Sequence, residues 1–193
     1  MIGEALDQIR EHYIRHFVDI FNQHVETEGV SIVHEAAFCD ADGNAVVEGE
    51  LSLPARGDLF IVRDGTVEES IQVDTESMLG FEPLEFQWPD SELIVDLSPF
   101  QWNWIQLRTP GLTPPVNWQP LRGWFDQWFK DDDPEEGELL GGIHFMSDPE
   151  EHDGQLQISI DLGTAPREAF EEMLDALARI GIKRLLIGQF DDQ

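Results

Sequence analysis

The residues with the clearest metal-ligand spacing are His12 and His16, which lie four positions apart in a segment of helical periodicity. Two imidazoles at this spacing share one face of a helix and could hold a metal ion, with Asp19 on nearly the same face as a third ligand. The same residues also fit an ordinary solvated polar face, because an HxxxH pattern arises easily by chance. We favour the solvated face, so the sequence predicts no metal site.

The acidic segment Asp40–Asn44 has the alternating oxygen side chains with which a calcium-binding EF-hand loop begins. Such a loop needs glycine at its sixth position and glutamate at its twelfth, where this chain has Ala45 and Leu51. A β-turn accounts for the glycine and for the Asx residues of the segment. We therefore expect a turn here and no calcium site.

Cys39 is the only cysteine, and as a nucleophile it would need a neighbouring base. His34 lies upstream and would face the opposite side of a regular strand, so the two do not pair locally. We expect Cys39 to be a small buried thiol. No serine lies in a GxSxG motif, and the glycines near Gly141 lack the lysine of a phosphate-binding loop. The sequence therefore indicates no catalytic residue and no cofactor.

Six tryptophans fall within 41 residues of one another. Exposed together, they could form a stacking platform for a sugar or anchor a protein partner. Buried together, they would form the core between a sheet and a helix, and this is the interpretation that we favour. Trp118 and Trp124, which lie beside prolines, are expected to be partly exposed. The alternation of Phe100, Trp102 and Trp104 predicts that these three share one face of a strand.

Acidic residues dominate the composition, with 40 Asp and Glu against 11 Lys and Arg and a formal net charge of −29 at pH 7. Such a surface repels polyanions, so we expect neither direct nucleic-acid binding nor association with anionic membranes. The segments 64–96 and 131–153 hold many carboxylates and no Lys or Arg. A negative field of this kind attracts cationic partners.

We expect the contact surface for such a partner to combine acidic and tryptophan side chains of the central part of the chain. Its candidate members are Glu82, Glu85, Asp90, Glu92, Trp118, Trp124, Asp131, Asp132, Asp133, Glu135 and Glu136. Four cations lie apart from the acidic segments in the sequence, which favours a polarised surface. They are Arg167, Arg179, Lys183 and Arg184.

The first half of the chain predicts a helix followed by strands, within a single acidic α+β domain of residues 1–193. An amphipathic helix over about 3–26 leads into an antiparallel β-meander. Its first two hairpins are expected to turn at Asp40–Asn44 and at Asp64-Gly65, since both contain an Asp-Gly pair.

The second half predicts a short Trp-rich helix near 120–130 and then a strand–helix–strand unit. Gln155–Leu162 alternates apolar and polar residues, as expected of a half-buried strand. Thr164 can cap the following helix, and Gly181 lies where a helix-ending glycine belongs. The last strand is expected at Lys183–Ile187.

These observations leave three functions open. An interaction module would bind a basic protein partner as a stoichiometric inhibitor, an immunity-type protein or a chaperone, and this function is favoured. A hydrolase of sugars could hide a catalytic pair of carboxylates among the many acidic residues. A salt-adapted domain would need its acidity for solubility alone.

The N-terminus has neither a basic leader nor a long apolar run, so we expect a cytoplasmic protein without a signal peptide or membrane span. A single cysteine also fits a reducing compartment. No pattern indicates the oligomeric state.

Overall fold

The computed structural model describes residues 2–25, 30–75, 77–130 and 138–190. Helices and sheets mix in an α+β fold, which confirms the predicted fold class and the predicted order of its parts. The helices are α1 (Ile2–Val25), α2 (Gln119–Trp128) and α3 (Arg167–Ile180). The strands are β1 (Ser31–His34), β2 (Val47–Glu48), β3 (Leu53–Pro54), β4 (Leu59–Arg63), β5 (Thr66–Ile71), β6 (Leu84–Gln87), β7 (Ile94–Leu97), β8 (Ile105–Thr109), β9 (Phe145–Met146), β10 (Glu150–His152), β11 (Gln155–Asp161) and β12 (Arg184–Gly188).

The main sheet has seven strands. Six of them follow the order β10-β11-β8-β12-β7-β6, and β9 also pairs with β11. The pair β12 and β7 is parallel, and the other pairs in this sheet are antiparallel. The C-terminal strand β12 therefore lies inside the sheet, between β8 and β7.

A smaller sheet of three strands, in the order β1-β4-β5, contains the predicted hairpin at Asp64-Gly65. These two residues have φ values of 51° and 76°, which a two-residue type I′ turn requires. The predicted strand pairing of the first hairpin is wrong, because β1 pairs with β4 and not with the segment that follows Asp40–Asn44. Among the described residues around that turn, Cys39 forms a bridge with Ala45, Ala37 forms one with Arg56, and the short strands β2 and β3 pair with each other.

The core includes the layer between α3 and the aromatic residues that precede β8. Phe170 of α3 stacks on Phe100 and Trp102, with ring centroids 5.7 and 6.3 Å away. Trp104, by contrast, is exposed, because residues 101–104 form a turn before β8 begins. The predicted strand face shared by Phe100, Trp102 and Trp104 is therefore wrong.

Helix α1 is amphipathic and packs against the start of α3. Tyr13 and Phe17 are fully buried, and the Arg10 guanidinium donates to the carbonyls of Ala165 and Thr164 at 2.7 and 3.0 Å. In the part of the chain that the structure describes, no helix combines the length and apolar character needed to cross a membrane.

The C-terminal unit agrees with the prediction except at the start of its helix. Gly181 ends α3 with a left-handed φ of 93°. The residue before α3 is Pro166, and Thr164 makes no cap. The hydroxyl of Thr164 instead donates to the carboxylate of Glu35, far away in the sequence.

Candidate functional site

Four ionisable side chains meet in the interior where the small sheet joins the main sheet. His144 is central: its Nδ1 lies 2.7 Å from Asp58 Oδ1 and 3.9 Å from Asp161 Oδ2, and its Nε2 lies 2.9 Å from Glu35 Oε1. All four residues are buried, and Asp161 is the most exposed at 9%. We call Glu35, Asp58, His144 and Asp161 the His144 cluster.

Backbone hydrogen bonds hold these residues side by side. The N–H of Glu35 donates to the carbonyl of Asp58 at 2.8 Å, and the N–H of His144 donates to the carbonyl of Asp161 at 3.0 Å. The N–H of Arg56 donates to the carbonyl of His144 at 2.9 Å and links the two pairs. Since Glu35 follows β1 and Asp161 ends β11, the cluster connects the two sheets through the main chain as well as through side chains.

The carboxylate of Glu35 orients the imidazole. Its Oε1 accepts hydrogen bonds from His144 and from the hydroxyl of Thr164, and its Oε2 accepts the N–H of Leu140 at 2.7 Å. The guanidinium of Arg56 donates to the Glu35 carbonyl at 2.7 Å. With Nε2 held in this way, Nδ1 of His144 is directed towards Asp58 and Asp161.

Gly163 allows His144 to occupy this position. It has a φ of +52°, and an added Cβ would lie 2.2 Å from His144 Cδ2. Its N–H donates to Asp161 Oδ1 at 2.7 Å, so the same residue also orients that carboxylate.

Burial and hydrogen bonding shift the pKa values of three cluster residues. Burial acts to lower the pKa of His144, but hydrogen bonds to Asp58 and Glu35 and the nearby carboxylate charges raise it to about 10. Burial acts to raise the pKa of Glu35, but the hydrogen bond from His144 and further donors lower it to about 2. Burial raises the pKa of Asp161 to about 7, against the opposing charge of His144. At neutral pH His144 is therefore an imidazolium facing an ionised Glu35.

Stability is expected to fall between pH 7 and pH 10 in protein kept free of metal ions with EDTA. His144 keeps its proton in the folded state until about pH 10, whereas the unfolded chain loses it near pH 6.5. Its contribution to stability is thus complete below pH 6.5 and is lost as the pH rises through 10. Linkage gives a decrease of about 1 kcal/mol per pH unit in the free energy of unfolding.

Urea unfolding followed by tryptophan fluorescence at pH 7, 8 and 9 measures this slope. Exposed carboxylates are ionised throughout the range, and the buried Asp161, whose pKa is about 7, contributes to the slope only near pH 7, so the change between pH 8 and pH 9 reports His144. His152→Gln, which removes a partly exposed imidazole outside the cluster, should leave the slope unchanged. A free energy of unfolding that stays constant with pH would mean that His144 is neutral in the folded protein.

A cavity of about 210 Å³ opens onto the cluster. Asp58 and Asp161 contribute its buried carboxylates. Phe38, Trp104 and Phe145 also line it and are 44%, 40% and 36% exposed. Among the described residues, no other aromatic side chain is as exposed as these. We call this space, with a carboxylate floor and an aromatic rim, the acidic cavity.

Three members of the cluster could together hold a metal ion. Asp58, His144 and Asp161 each offer one ligand atom, and these atoms lie within 4.8 Å of one another. Carboxylate oxygens and imidazole nitrogens are ligands of first-row divalent ions. The same atoms also engage one another through hydrogen bonds and ion pairs.

The four described acidic candidates are exposed and lie on or beside β6. Glu82 precedes that strand and Glu85 lies on it. Asp90 and Glu92 belong to the loop that follows it. Asp131, Asp132, Asp133, Glu135 and Glu136 lie outside the described residues.

The C-terminal cations Lys183 and Arg184 do not lie apart from the acidic residues, contrary to the predicted polarised surface. Arg184 forms ion pairs with Glu85 and Asp96, each at 2.7 Å, and Lys183 pairs with Glu92. Because β12 pairs in parallel with β7, the chain carries these cations directly onto the acidic strands. Sequence distance between opposite charges was a wrong guide here, and two of the candidate carboxylates are engaged within the molecule.

The two tryptophan candidates differ in exposure. Trp118 is half-buried, as expected. The expected exposure of Trp124 is wrong, since it is only 3% exposed and its indole N–H donates to the carbonyl of Ala169 at 2.8 Å. Helix α2 packs on α3, and Trp124 lies in that contact.

The thiol prediction is also wrong, because Cys39 is exposed. It directly precedes the turn at Asp40–Asn44 and lies outside the named strands. That turn is confirmed: Asp40 Oδ1 accepts the N–H groups of Asp42 and Asn44, both at 2.9 Å.

His12 and His16 of α1 face the segment between β5 and β6. Their Nε2 atoms are 3.1 and 2.9 Å from the backbone carbonyls of Ser77 and Asp74. Each imidazole therefore has its own backbone partner on the exposed side of α1.

Sequence reasoning missed all four residues of the His144 cluster. The available signals are weak: a histidine between two apolar residues at Ile143-His144-Phe145, and a carboxylate at the end of the alternating strand β11. Comparisons with protein-family models, curated proteins and solved structures find no match to this chain. A functional proposal for this protein therefore depends on the geometry of the cluster and its cavity.

Proposed function

We propose that this protein is an interaction module that binds a basic protein partner and takes one Lys or Arg side chain of that partner into the acidic cavity. One observation carries the proposal. The three most exposed aromatic side chains of the described residues, Phe38, Trp104 and Phe145, all line a cavity that also contains the carboxylates of Asp58 and Asp161.

This combination suits an organic cation. Aromatic faces attract ammonium and guanidinium groups, and the carboxylates supply opposite charge. The cavity volume of about 210 Å³ is below the range of typical small-molecule sites and fits one long side chain. The net charge of −29 adds a long-range attraction that draws a basic surface towards the protein.

The proposed role is that of a stoichiometric inhibitor, an immunity-type protein or a chaperone for the basic partner. If the partner's basic surface normally binds nucleic acid, the acidic protein would compete with phosphate for it. The cytoplasm is the expected compartment, since the chain has one cysteine and no pair to form a disulfide within itself.

A seven-residue peptide with one central arginine, flanked by glycine and serine, is expected to bind in the acidic cavity. The Trp104 indole N–H resonance should shift on titration at low salt, because the guanidinium would lie against its ring. Trp104→Leu, which keeps apolar area but removes the aromatic face, should weaken binding about 3- to 10-fold. Two-dimensional NMR of the amide and indole groups measures both effects.

The matched ligand control replaces the arginine by citrulline, which has nearly the same shape and no charge. The matched protein control is Asp64→Asn, which removes one exposed charge from a turn outside the cavity and suits its positive φ. If the resonances that shift are spread over the acidic surface, or if Trp104→Leu binds as tightly as the wild type, the proposal fails.

The hydrolase is the second candidate, because Asp58 and Asp161 share a cavity with a tryptophan and burial raises the pKa of Asp161 to about 7. A protonated Asp161 could act as a general acid at neutral pH. Asp58, however, already accepts hydrogen bonds from the N–H of Val73, from Tyr13 and from His144, which leaves it poorly placed to attack a substrate. Release of chromophore from nitrophenyl glycosides would favour this candidate over the interaction module.

A further inference from the structure

We infer that the His144 cluster binds a first-row divalent metal ion, with Asp58, His144 and Asp161 as its protein ligands. The inference goes beyond the proposed function and does not rest on it. It rests on the placement of the ligand atoms, on the support of the imidazole, on the charge of the cluster and on one further buried oxygen.

The three ligand atoms converge from separate parts of the chain. Asp58 precedes β4, His144 precedes β9 and Asp161 ends β11, yet their ligand atoms lie within 4.8 Å of one another. Backbone hydrogen bonds between these segments maintain that arrangement without relying on the side chains. An ion would therefore find its ligands already assembled.

The imidazole is supported as a metal-bound histidine usually is. Its Nε2 lies 2.9 Å from Glu35 Oε1, and Glu35 is anchored in turn by Thr164 and the N–H of Leu140. Histidines that bind metals commonly donate their second nitrogen to a carboxylate, which sets the orientation of the ring. Here that contact leaves Nδ1 directed at Asp58 and Asp161.

The charge of the cluster favours a dication. Three buried carboxylates face one imidazole, and Arg56, which is 6% exposed and lines the same cavity, adds one positive charge. Acidic side chains therefore outnumber basic ones in this part of the interior, and a bound divalent cation would offset the negative charge that they carry there.

Asn103 supplies an independent indication of a ligand. It is 3% exposed and lines the acidic cavity together with Asp58 and Asp161. Its amide nitrogen donates to the carbonyl of Val73 and to Asp74, whereas its Oδ1 is buried and accepts no hydrogen bond from any described residue. A buried amide oxygen without a donor is unusual, and amide oxygens are common ligands of divalent ions.

The ligand set selects the kind of ion. One imidazole with carboxylate and amide oxygens suits Mn²⁺ and Zn²⁺ better than Ca²⁺, which prefers oxygen alone, or Cu⁺, which prefers sulfur. The adjoining cavity would leave coordination positions for water. A metal ion and a cationic side chain would both contact Asp58 and Asp161, so only one of them can bind at a time.

The test is a titration of EDTA-treated protein with Mn²⁺, in which the free ion is counted by its EPR signal in about 0.5 M NaCl. Salt at this concentration screens the exposed carboxylates. One Mn²⁺ per chain is expected to bind, and NMR signals around His144 should broaden before all others. Asp161→Asn, which keeps an oxygen to accept the Gly163 N–H, should weaken Mn²⁺ binding at least 10-fold.

Asp64→Asn is the matched control and should bind Mn²⁺ as the wild type does. Because the broadening is observed in the wild type, the result does not depend on whether the variant folds. Mn²⁺ that binds equally well to Asp161→Asn, or that broadens surface carboxylate segments first, would overturn the inference. Peptide binding and metal binding are measured in separate experiments, so the proposed function and the metal site can each be disproved alone. If both ligands bind, Mn²⁺ should displace the arginine peptide.

Discussion

Replacing Glu35 with alanine is expected to lower the free energy of unfolding by about 3 to 5 kcal/mol. The carboxylate of Glu35 is fully buried and accepts hydrogen bonds from His144, Thr164 and Leu140. Its removal leaves a buried imidazolium without one of its two hydrogen-bonded carboxylates, and it leaves the buried hydroxyl of Thr164 and the partly buried N–H of Leu140 without this acceptor. Each of these groups then lacks the hydrogen bond that offset the cost of its desolvation.

Glu35→Gln separates the charge of this residue from its volume. The side chain keeps its size, but one oxygen becomes an NH₂ group where only donors approach, so a loss of about 2 kcal/mol is expected. Glu69→Gln on β5 is the matched control, because Glu69 is exposed and should change stability by less than about 0.5 kcal/mol. Urea denaturation at pH 7 measures all three. Equal stability of wild type and Glu35→Gln would show that Glu35 does not anchor His144.

The parts of the fold that the sequence predicts well are those specified by neighbouring residues. The type I′ turn depends on Asp64 and Gly65 alone, and the end of α3 depends on Gly181. The half-buried strand β11 follows from its alternating pattern. Each of these signals is local, so no knowledge of distant contacts is needed to interpret it.

Predictions that depend on distant contacts were less successful. The sequence predicts that β1 pairs with the next extended segment, but it pairs with β4. It also predicts that Thr164 caps α3, but the Thr164 hydroxyl donates to Glu35. In both cases the local pattern permits more than one partner. The choice between them is made by packing against a part of the chain that no local pattern identifies.

The His144 cluster could not have been predicted for a related reason. Its three carboxylates belong to a chain with 40 acidic residues, and nothing in their sequence surroundings separates them from the solvated majority. What distinguishes them is burial at the junction of the two sheets, which is a property of the assembled fold. The aromatic rim is not predicted either, because the alternation of Phe100, Trp102 and Trp104 indicates a strand, whereas residues 101–104 form a turn that leaves Trp104 exposed.

Replacing Gly163 with alanine is expected to lower the free energy of unfolding by about 3 kcal/mol or more. The new Cβ would lie 2.2 Å from His144 Cδ2, and the imidazole cannot retreat because it is fully buried and bonded at both nitrogens. Overpacking of this kind typically costs about 1 to 3 kcal/mol. The φ of +52° adds about 1 kcal/mol for any residue with a Cβ.

Gly154→Ala isolates the backbone contribution to this loss. Gly154 has a φ of +73°, but an added Cβ there would meet nothing within 4 Å, so only the cost of about 1 kcal/mol for positive φ is expected. Thermal and urea unfolding of both variants measure the difference. If the two substitutions destabilise the protein equally, His144 does not pack against Gly163. In that event the imidazole has a different position, and neither the ion-pair network nor the metal ligands can be arranged as described, because both need Nδ1 directed at Asp58 and Asp161.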